Sequence, residues 1–423
     1  MRRVWQRSGM LGVLAVLLLV FALATISEQP IEGEAGGMAL AHEAAGQRVL
    51  IAGGNSSQDG AFLDALAAGL RQRGSQIVAV VRDPAAARLA LEMRPDVIAC
   101  TPAAFRWTVF DSVRERVRTT SPRRYSVFLT ATNLLNVLNQ ISVIAILAAG
   151  MTMVILTRGI DLSVGSLIAL AAVVAAWLIE RWFGATGASG LGMWAACALA
   201  VTLCAAVGAL SGTLVAVFSI PPFIATLAMM LIASGAAFLI SRGESIYNLP
   251  DSFVWLGRET MLGLPNAVLL TLFLYGMVHV TLTRTMLGRH IMAVGNNPEA
   301  ARFSGISLPK VRLAVYTACG ALAGLGGIVT ASQLKSGAPT YGGMYELYAI
   351  AAVVVGGTSL SGGRGSVLGT LVGALIIAVI QNGMNLTGVE NYTQKIVLGL
   401  VILGAVLLDR LSQRQLRTTS HAE

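Results

Sequence analysis

Few residues of this 423-residue chain could do chemistry. Asp161 is the only acid between residues 134 and 179, and it lies in Gly159–Ser166 (GIDLSVGS). A carboxylate in apolar surroundings costs about 2.5–3.5 kcal/mol on insertion scales, so a function or a structural partner must retain it. Arg158 or a helix N-terminus could be that partner, since Asp161 and Ser163 stand where a helix cap would. The other reading puts both on a translocation path. Gln381, Asn382 and Asn385 form a second group, three amides in the apolar stretch 366–386. Such groups need hydrogen-bond partners. Neighbouring helices are the commoner partners, and hydroxyls of a passing solute are the alternative. Leu360–Gly363 spells LSGG, which matches in letters a signature of ATP-hydrolysing cassettes. No GxxxxGK[ST] is present, so there is no phosphate-cradling loop and no ATP hydrolysis by this chain alone. The cysteines Cys100, Cys197, Cys204 and Cys319 form no CxxC pair, and His279 and His290 stand singly. No disulfide framework, metal site or nucleophilic triad follows. The chain reads as no enzyme, with no cofactor of its own.

A third group has the look of a docking element. Residues 284–312 read RTMLGRHIMAVGNNPEAARFSGISLPKVR. Asn297 suits a helix cap and Pro298 the first turn. Glu299 then lies near the positive end of the helix dipole. Ala300 and Ala301 follow, Gly305 ends the helix and Pro309 blocks its extension. So short a helix is not stable alone. It makes sense if it sits in another protein's groove. The alternative is a plain connecting loop.

The elements that must position these residues are mostly membrane helices. The chain is 55% hydrophobic and only 12% charged, where soluble proteins carry about 25% charged residues. That argues against a soluble enzyme, a disordered chain or a nucleic-acid binder. The net charge of +9 fits Lys and Arg held on cytoplasmic loops. A first apolar run, from about Gly9 to Ile26, follows Arg2, Arg3 and Arg7. It reads as a span with a cytoplasmic N-terminus, or as a signal peptide cut near Ala22-Leu23-Ala24. Nine further spans are expected at about 134–157, 164–183, 191–218, 223–241, 265–283, 311–331, 345–360, 366–386 and 394–409. The stretch 345–360 is short and Gly-rich, so it is expected to be broken or re-entrant. The fold class is an all-α polytopic membrane protein of about ten helices. A small extracytoplasmic α/β insert follows the first. The expected division is 1–26, 27–126 for the insert, 127–410 for the membrane domain and 411–423 for a cytoplasmic tail.

Inside the insert the order is βαβαβ, which implies a small parallel sheet. Strands are expected at Arg48–Gly54, Gln76–Val81 and Pro95–Cys100, with helices at Asp59–Arg73 and Pro84–Met93. Residues 103–118 are expected to form a helix lying on the membrane surface. Arg114, Arg116, Arg118, Arg123 and Arg124 fall on the predicted outside, against the positive-inside rule.

From about Phe128 to Asp409 the chain resembles the permease subunits of bacterial monosaccharide ABC importers of the ribose and xylose type. The matching stretches include FLTATNLLNVLNQ, TRGIDLSVGSLIAL, PPFIATLAMM, LGRHIMAVGNNPEAARFSGI, VVVGGTSLSGGRGSVLGTLVGALI and QNGMNLTGV. The resemblance implies a pair of permeases, identical or not, in the bacterial inner membrane. It also implies a separate ATPase that binds ATP and a periplasmic binding protein that delivers sugar. Glu299-Ala300-Ala301 with Gly305 is similar to the coupling helix that permeases insert into the ATPase, with a shortened spacing to Leu308-Pro309. No family motif carries path residues onto this chain. Asp161, Ser163, Gln381, Asn382 and Asn385 are therefore candidates from their chemistry alone. Two departures stand out: roughly 95 residues intervene before the FLT segment, and VFSI before PPFIATL lacks basic residues.

The insert resembles the opening of a periplasmic sugar-binding protein, but only one partial lobe is present. It is expected to serve docking or regulation, or to be a remnant. Two rivals remain. An ion-coupled transporter needs paired intramembrane acids, and only Asp161 and Glu346 are placed to serve. A membrane sensor needs a cytoplasmic output domain, and 14 residues follow Asp409.

Overall fold

The computed structural model describes residues 2–44 and 48–420, with side chains over 9–44 and 48–407. The chain divides into two units, Leu23–Val127 and the remainder, Met1–Ala22 with Phe128–Glu423. Helix α1 (Arg2–Ala24) comes first and is followed by the α/β unit.

That unit runs β1 (Ile26–Gln29), α2 (Gly33–Glu43), β2 (Arg48–Ala52), α3 (Ser57–Gln72), β3 (Gln76–Val81), α4 (Pro84–Leu91), β4 (Val97–Cys100), β5 (Val117–Arg118) and β6 (Arg123–Ser126). Strands β3-β2-β4-β5 form one parallel sheet in that order. The alternation in β2 explains the two layers. Val49 and Ile51 pack with Phe62, Leu66 and Leu70 of α3, while Leu50 and Ala52 pack with Val81, Ile98 and Phe110. A strand buried on both faces reads as a continuous apolar run, as RVLIA does. Caps punctuate the helices. Ser56 Oγ accepts the Asp59 N–H at 3.0 Å, and Asp83 Oδ1 accepts that of Ala86 at 2.7 Å.

The five expected elements are present, but the sheet has four strands rather than three. The helix α2 and an antiparallel ribbon of β1 with β6 are additions. In the ribbon, Arg124 Nε meets Glu28 Oε1 at 3.1 Å. No surface helix forms over 103–118. The segment makes two 3-10 turns, Ala104–Arg106 and Thr108–Arg116, and then β5. The reason is Phe110, fully buried in the layer beneath the sheet, and Val113, whose backbone leaves helical geometry. The apolar side of this segment is used by the unit's own core.

The other unit continues with α5 (Ala131–Leu156), α6 (Val164–Trp182), α7 (Gly190–Ala216), α8 (Pro222–Ser241), α9 (Trp255–Arg258) and the hairpin β7 (Thr260–Met261) with β8 (Leu264–Pro265). Then come α10 (Asn266–Arg284), α11 (Met286–Asn296), α12 (Pro298–Phe303), α13 (Leu308–Leu334), α14 (Tyr345–Val355), α15 (Val367–Leu386) and α16 (Asn391–Ser420). Among the described residues seven helices are long and apolar enough to cross a membrane: α5, α6, α7, α8, α10, α13 and α15. Shorter apolar stretches occupy Gly9–Ala24, Tyr345–Val355 and Asn391–Leu407. Helix α14 stops at Val355, well short of the expected 360, because GGTSLSGG cannot extend it.

Small residues set how the helices meet, as they must where lipid gives no hydrophobic drive to association. A Cβ on Gly327 of α13 would lie 2.6 Å from the Ile168 carbonyl of α6, and one on Gly373 of α15 would lie 2.1 Å from that of Ala352 of α14.

Candidate functional site

Helix α12 is built as its residues demand. Asn297 Oδ1 accepts the Ala300 N–H at 3.1 Å. At the far end the Ile306 N–H bonds the Ala301 carbonyl and the Gly305 N–H bonds that of Arg302, both at 3.0 Å. This double closure needs a left-handed residue, and Gly305 has φ +81°. Ala301 is 4% exposed and anchors the helix to the core of the helical unit. Glu299, Ala300 and Arg302 face out. Phe303 is 91% exposed, a large aromatic at the tip that none of the described residues covers. Sequence reasoning passed over it, although its place beside the EAA stretch was a usable signal.

The base of α12 is held by two other loops. The Arg158 stem passes Gly362, and its guanidinium donates from Nε to the Gly295 carbonyl at 2.8 Å and from Nη2 to the Asn296 carbonyl at 2.7 Å. These are the last carbonyls of α11, where a cation is favoured. The Gly363 N–H bonds the Leu156 carbonyl at 3.0 Å. Gly295 permits the approach, because a Cβ there would sit 1.9 Å from the Leu156 oxygen. The α5–α6 loop, the α11–α12 junction and the LSGG loop thus form one knot. Arg158 serves this knot and not Asp161.

Asp161 is fully buried. Its Oδ1 accepts the N–H of Ser163 at 2.9 Å and its hydroxyl at 2.6 Å. That is a turn onto the residue two ahead rather than a cap on α6, and Ser163 makes no side-chain cap bond either. The loop that holds Asp161 packs on α13, where a Cβ on Gly159 would lie 2.5 Å from the Tyr316 hydroxyl. Asn382 of α15 exchanges two amide hydrogen bonds with Asn133 of α5, each 3.0 Å. Asn385 Oδ1 accepts from Gln394 Nε2 of α16 at 2.7 Å. Gln381 is half-buried on the same helix. So the structure gathers Asn297, Glu299, Ala300, Ala301 and Gly305 in one small helix. The other five candidates fall in two places, Asp161 bonded to Ser163 before α6 and the three amides on α15, and four of the five are engaged within the protein.

The comparisons agree on one kind of protein. The family model described as "Branched-chain amino acid transport system / permease component" matches residues 133–406. The chain is 46% identical over 301 residues to the ribose import permease protein RbsC of Escherichia coli K12, covering 70% of this chain and 90% of that one. It is 42% identical over 285 residues to RbsC of Bacillus subtilis 168, covering 67% and 86%. It is 37% identical over 284 residues to the D-allose transport system permease protein AlsC of Escherichia coli K12, covering 67% and 85%. No solved structure matches the chain.

Proposed function

Because the chain belongs to this family of ABC importer permeases, on its sugar-importing side, we propose that it forms half of a membrane path for a monosaccharide. A separate ATPase binds and hydrolyses the ATP, and a substrate-binding protein delivers the sugar. The apolar stretches Gly9–Ala24, Tyr345–Val355 and Asn391–Leu407 join the seven long helices to make ten spans. A second permease, identical or homologous, completes the path. The N-terminus, α12 and residues 411–423 face the cytoplasm, and the α/β unit lies on the far side of the inner membrane as a docking or regulatory module.

The observation that carries this mechanism is α12, anchored through Ala301 and bare at Glu299, Ala300 and Phe303. Closure of the ATPase on ATP carries α12 with it. The Arg158 knot passes the displacement to α5, α6 and the LSGG loop. The permeases then exchange an outward for an inward opening, a shift between two states that ATP binding favours unequally.

The test is co-purification in detergent with the ATPase, for the wild type, Glu299→Ala and Gly305→Val, beside sugar uptake in cells. A side chain with a Cβ is strained at the Gly305 φ, so that variant distorts the helix end. Both variants should reach the membrane at wild-type level and lose ATPase retention or uptake. Wild-type uptake by both would sink the coupling role of α12.

A further inference from the structure

The loop between α5 and α6, residues 157–163, holds Arg158 in a conformation that its residue type resists. Arg158 stands at φ +65°, the left-handed region that a side chain with a Cβ disfavours. Its N–H bonds the Ile155 carbonyl at 2.9 Å, and that of Gly159 bonds the Val154 carbonyl at 3.0 Å. Such a helix end usually takes glycine at the left-handed position. Here it takes the residue whose guanidinium holds the last carbonyls of α11. The stem is confined as well, since a Cβ on Gly362 would lie 2.5 Å from the Arg158 Cγ. Backbone strain of this kind persists only where the surroundings fix the chain.

The residues after Arg158 supply that fixing. Gly159 lies against the Tyr316 hydroxyl of α13. The Thr226 hydroxyl of α8 is shared between the Pro222 carbonyl of its own helix at 2.8 Å and the Ile160 carbonyl at 3.2 Å. Asp161 closes the loop, its Oδ1 accepting both the N–H and the hydroxyl of Ser163. The Ser163 carbonyl in turn accepts the Leu167 N–H at 2.9 Å, in the first turn of α6. Asp161 and Ser163 are fully buried, where hydrogen bonds are stronger than in water. Asp161 Oδ2 has no hydrogen-bond partner among the described residues, and none of their ion pairs includes Asp161. The acceptor Oδ1 is therefore the working part of this side chain. Arg158 ties one end of the loop to α11, and Asp161 ties the other to α6.

We propose that Asp161 is a positioning residue for the coupling step. Its turn onto Ser163 fixes the loop to α6 and keeps Arg158 at its left-handed φ, so that a displacement of α12 moves α6. The assignment rests on the coupling reading of α12 above.

The wild type, Asp161→Asn, Asp161→Ala, Ser163→Ala, Arg158→Ala and the double variant Arg158→Ala with Asp161→Ala are reconstituted with the ATPase and the substrate-binding protein. Uptake of D-ribose and D-allose per ATP hydrolysed is measured beside membrane yield and ATPase retention. Asp161→Ala should lower uptake per ATP about tenfold, which is what losing one hydrogen bond to a charged group amounts to. Its ATPase retention should persist. Asp161→Asn keeps the acceptor and should stay within about twofold of wild type, while Ser163→Ala, which keeps the N–H bond, should fall between. Asp161→Ala added to Arg158→Ala should change the ratio by less than about twofold, because residues that act through one another do not add. If Asp161→Ala does not reach the membrane, Ser163→Ala alone and with Arg158→Ala gives the same comparison. A full loss in Asp161→Asn makes the charge the working part and overturns the assignment. So do losses that multiply in the double variant, or an intact uptake per ATP in both Asp161→Ala and Ser163→Ala. Wild-type uptake per ATP in Arg158→Ala overturns the coupling knot itself. A wild-type complex that imports neither sugar overturns the sugar-permease reading, and this role with it.

Discussion

Asn382 separates a path residue from a packing residue. Its two bonds to Asn133 join α15 to α5, and interhelical hydrogen bonds in membranes average about 0.6 kcal/mol with a maximum near 1.7. Asn382→Ala should lower thermal stability in detergent by about that much, since Asn133 is left half-satisfied. The double replacement with Asn133→Ala should cost less than the sum of the single ones, which a double-mutant cycle reads directly. A loss of uptake with unchanged stability would restore Asn382 to the path. Cys100 gives a second test. Burial pushes its thiol up to about 12, so almost no thiolate exists at neutral pH. It should resist maleimide in the native protein at pH 7 and react after denaturation, and rapid native labelling would contradict the buried sheet.

At the scale of elements, the Arg158 grip decides how α12 communicates. One guanidinium holds two carbonyls, which the single ammonium of lysine does not reproduce. Arg158→Lys should retain ATPase binding while uptake per ATP hydrolysed falls, and Arg158→Ala should fall further. Transport and hydrolysis measured together in proteoliposomes check this. Equal transport per ATP in all three would show that the knot is a passive cap on α11. Asn297→Ala should destabilise α12 by about 1 kcal/mol, the usual value of such a cap. Weaker ATPase retention on detergent pull-down is its measure.

For the whole molecule the prediction concerns sidedness. Ser304→Cys, exposed beside α12, should react with a membrane-impermeant thiol reagent only after cells are permeabilised. Gln58→Cys, exposed in the α/β unit, should react in intact spheroplasts. Labelling of both from the same side would refute the proposed topology. Much of this architecture was legible beforehand because its signals are local. Runs of about 20 apolar residues mark spans, Asn-Pro at 297–298 and Gly305 bracket α12, and the short unbroken apolar run Val49–Ala52 marks a buried strand. The 3-10 course of 104–116 was not legible, because Phe110 is captured by a sheet whose strands lie outside that segment. Nor were the engagements of Asn382 and Arg158 legible, since each depends on which neighbour arrives across space. By itself the sequence determined a multi-pass membrane protein with one short capped helix, because hydropathy and capping act within a few residues of the chain. Only the tertiary structure decided that Arg158 grips α11 and that Asn382 bonds Asn133. Those contacts join residues up to 249 positions apart and arise from packing that no local pattern encodes.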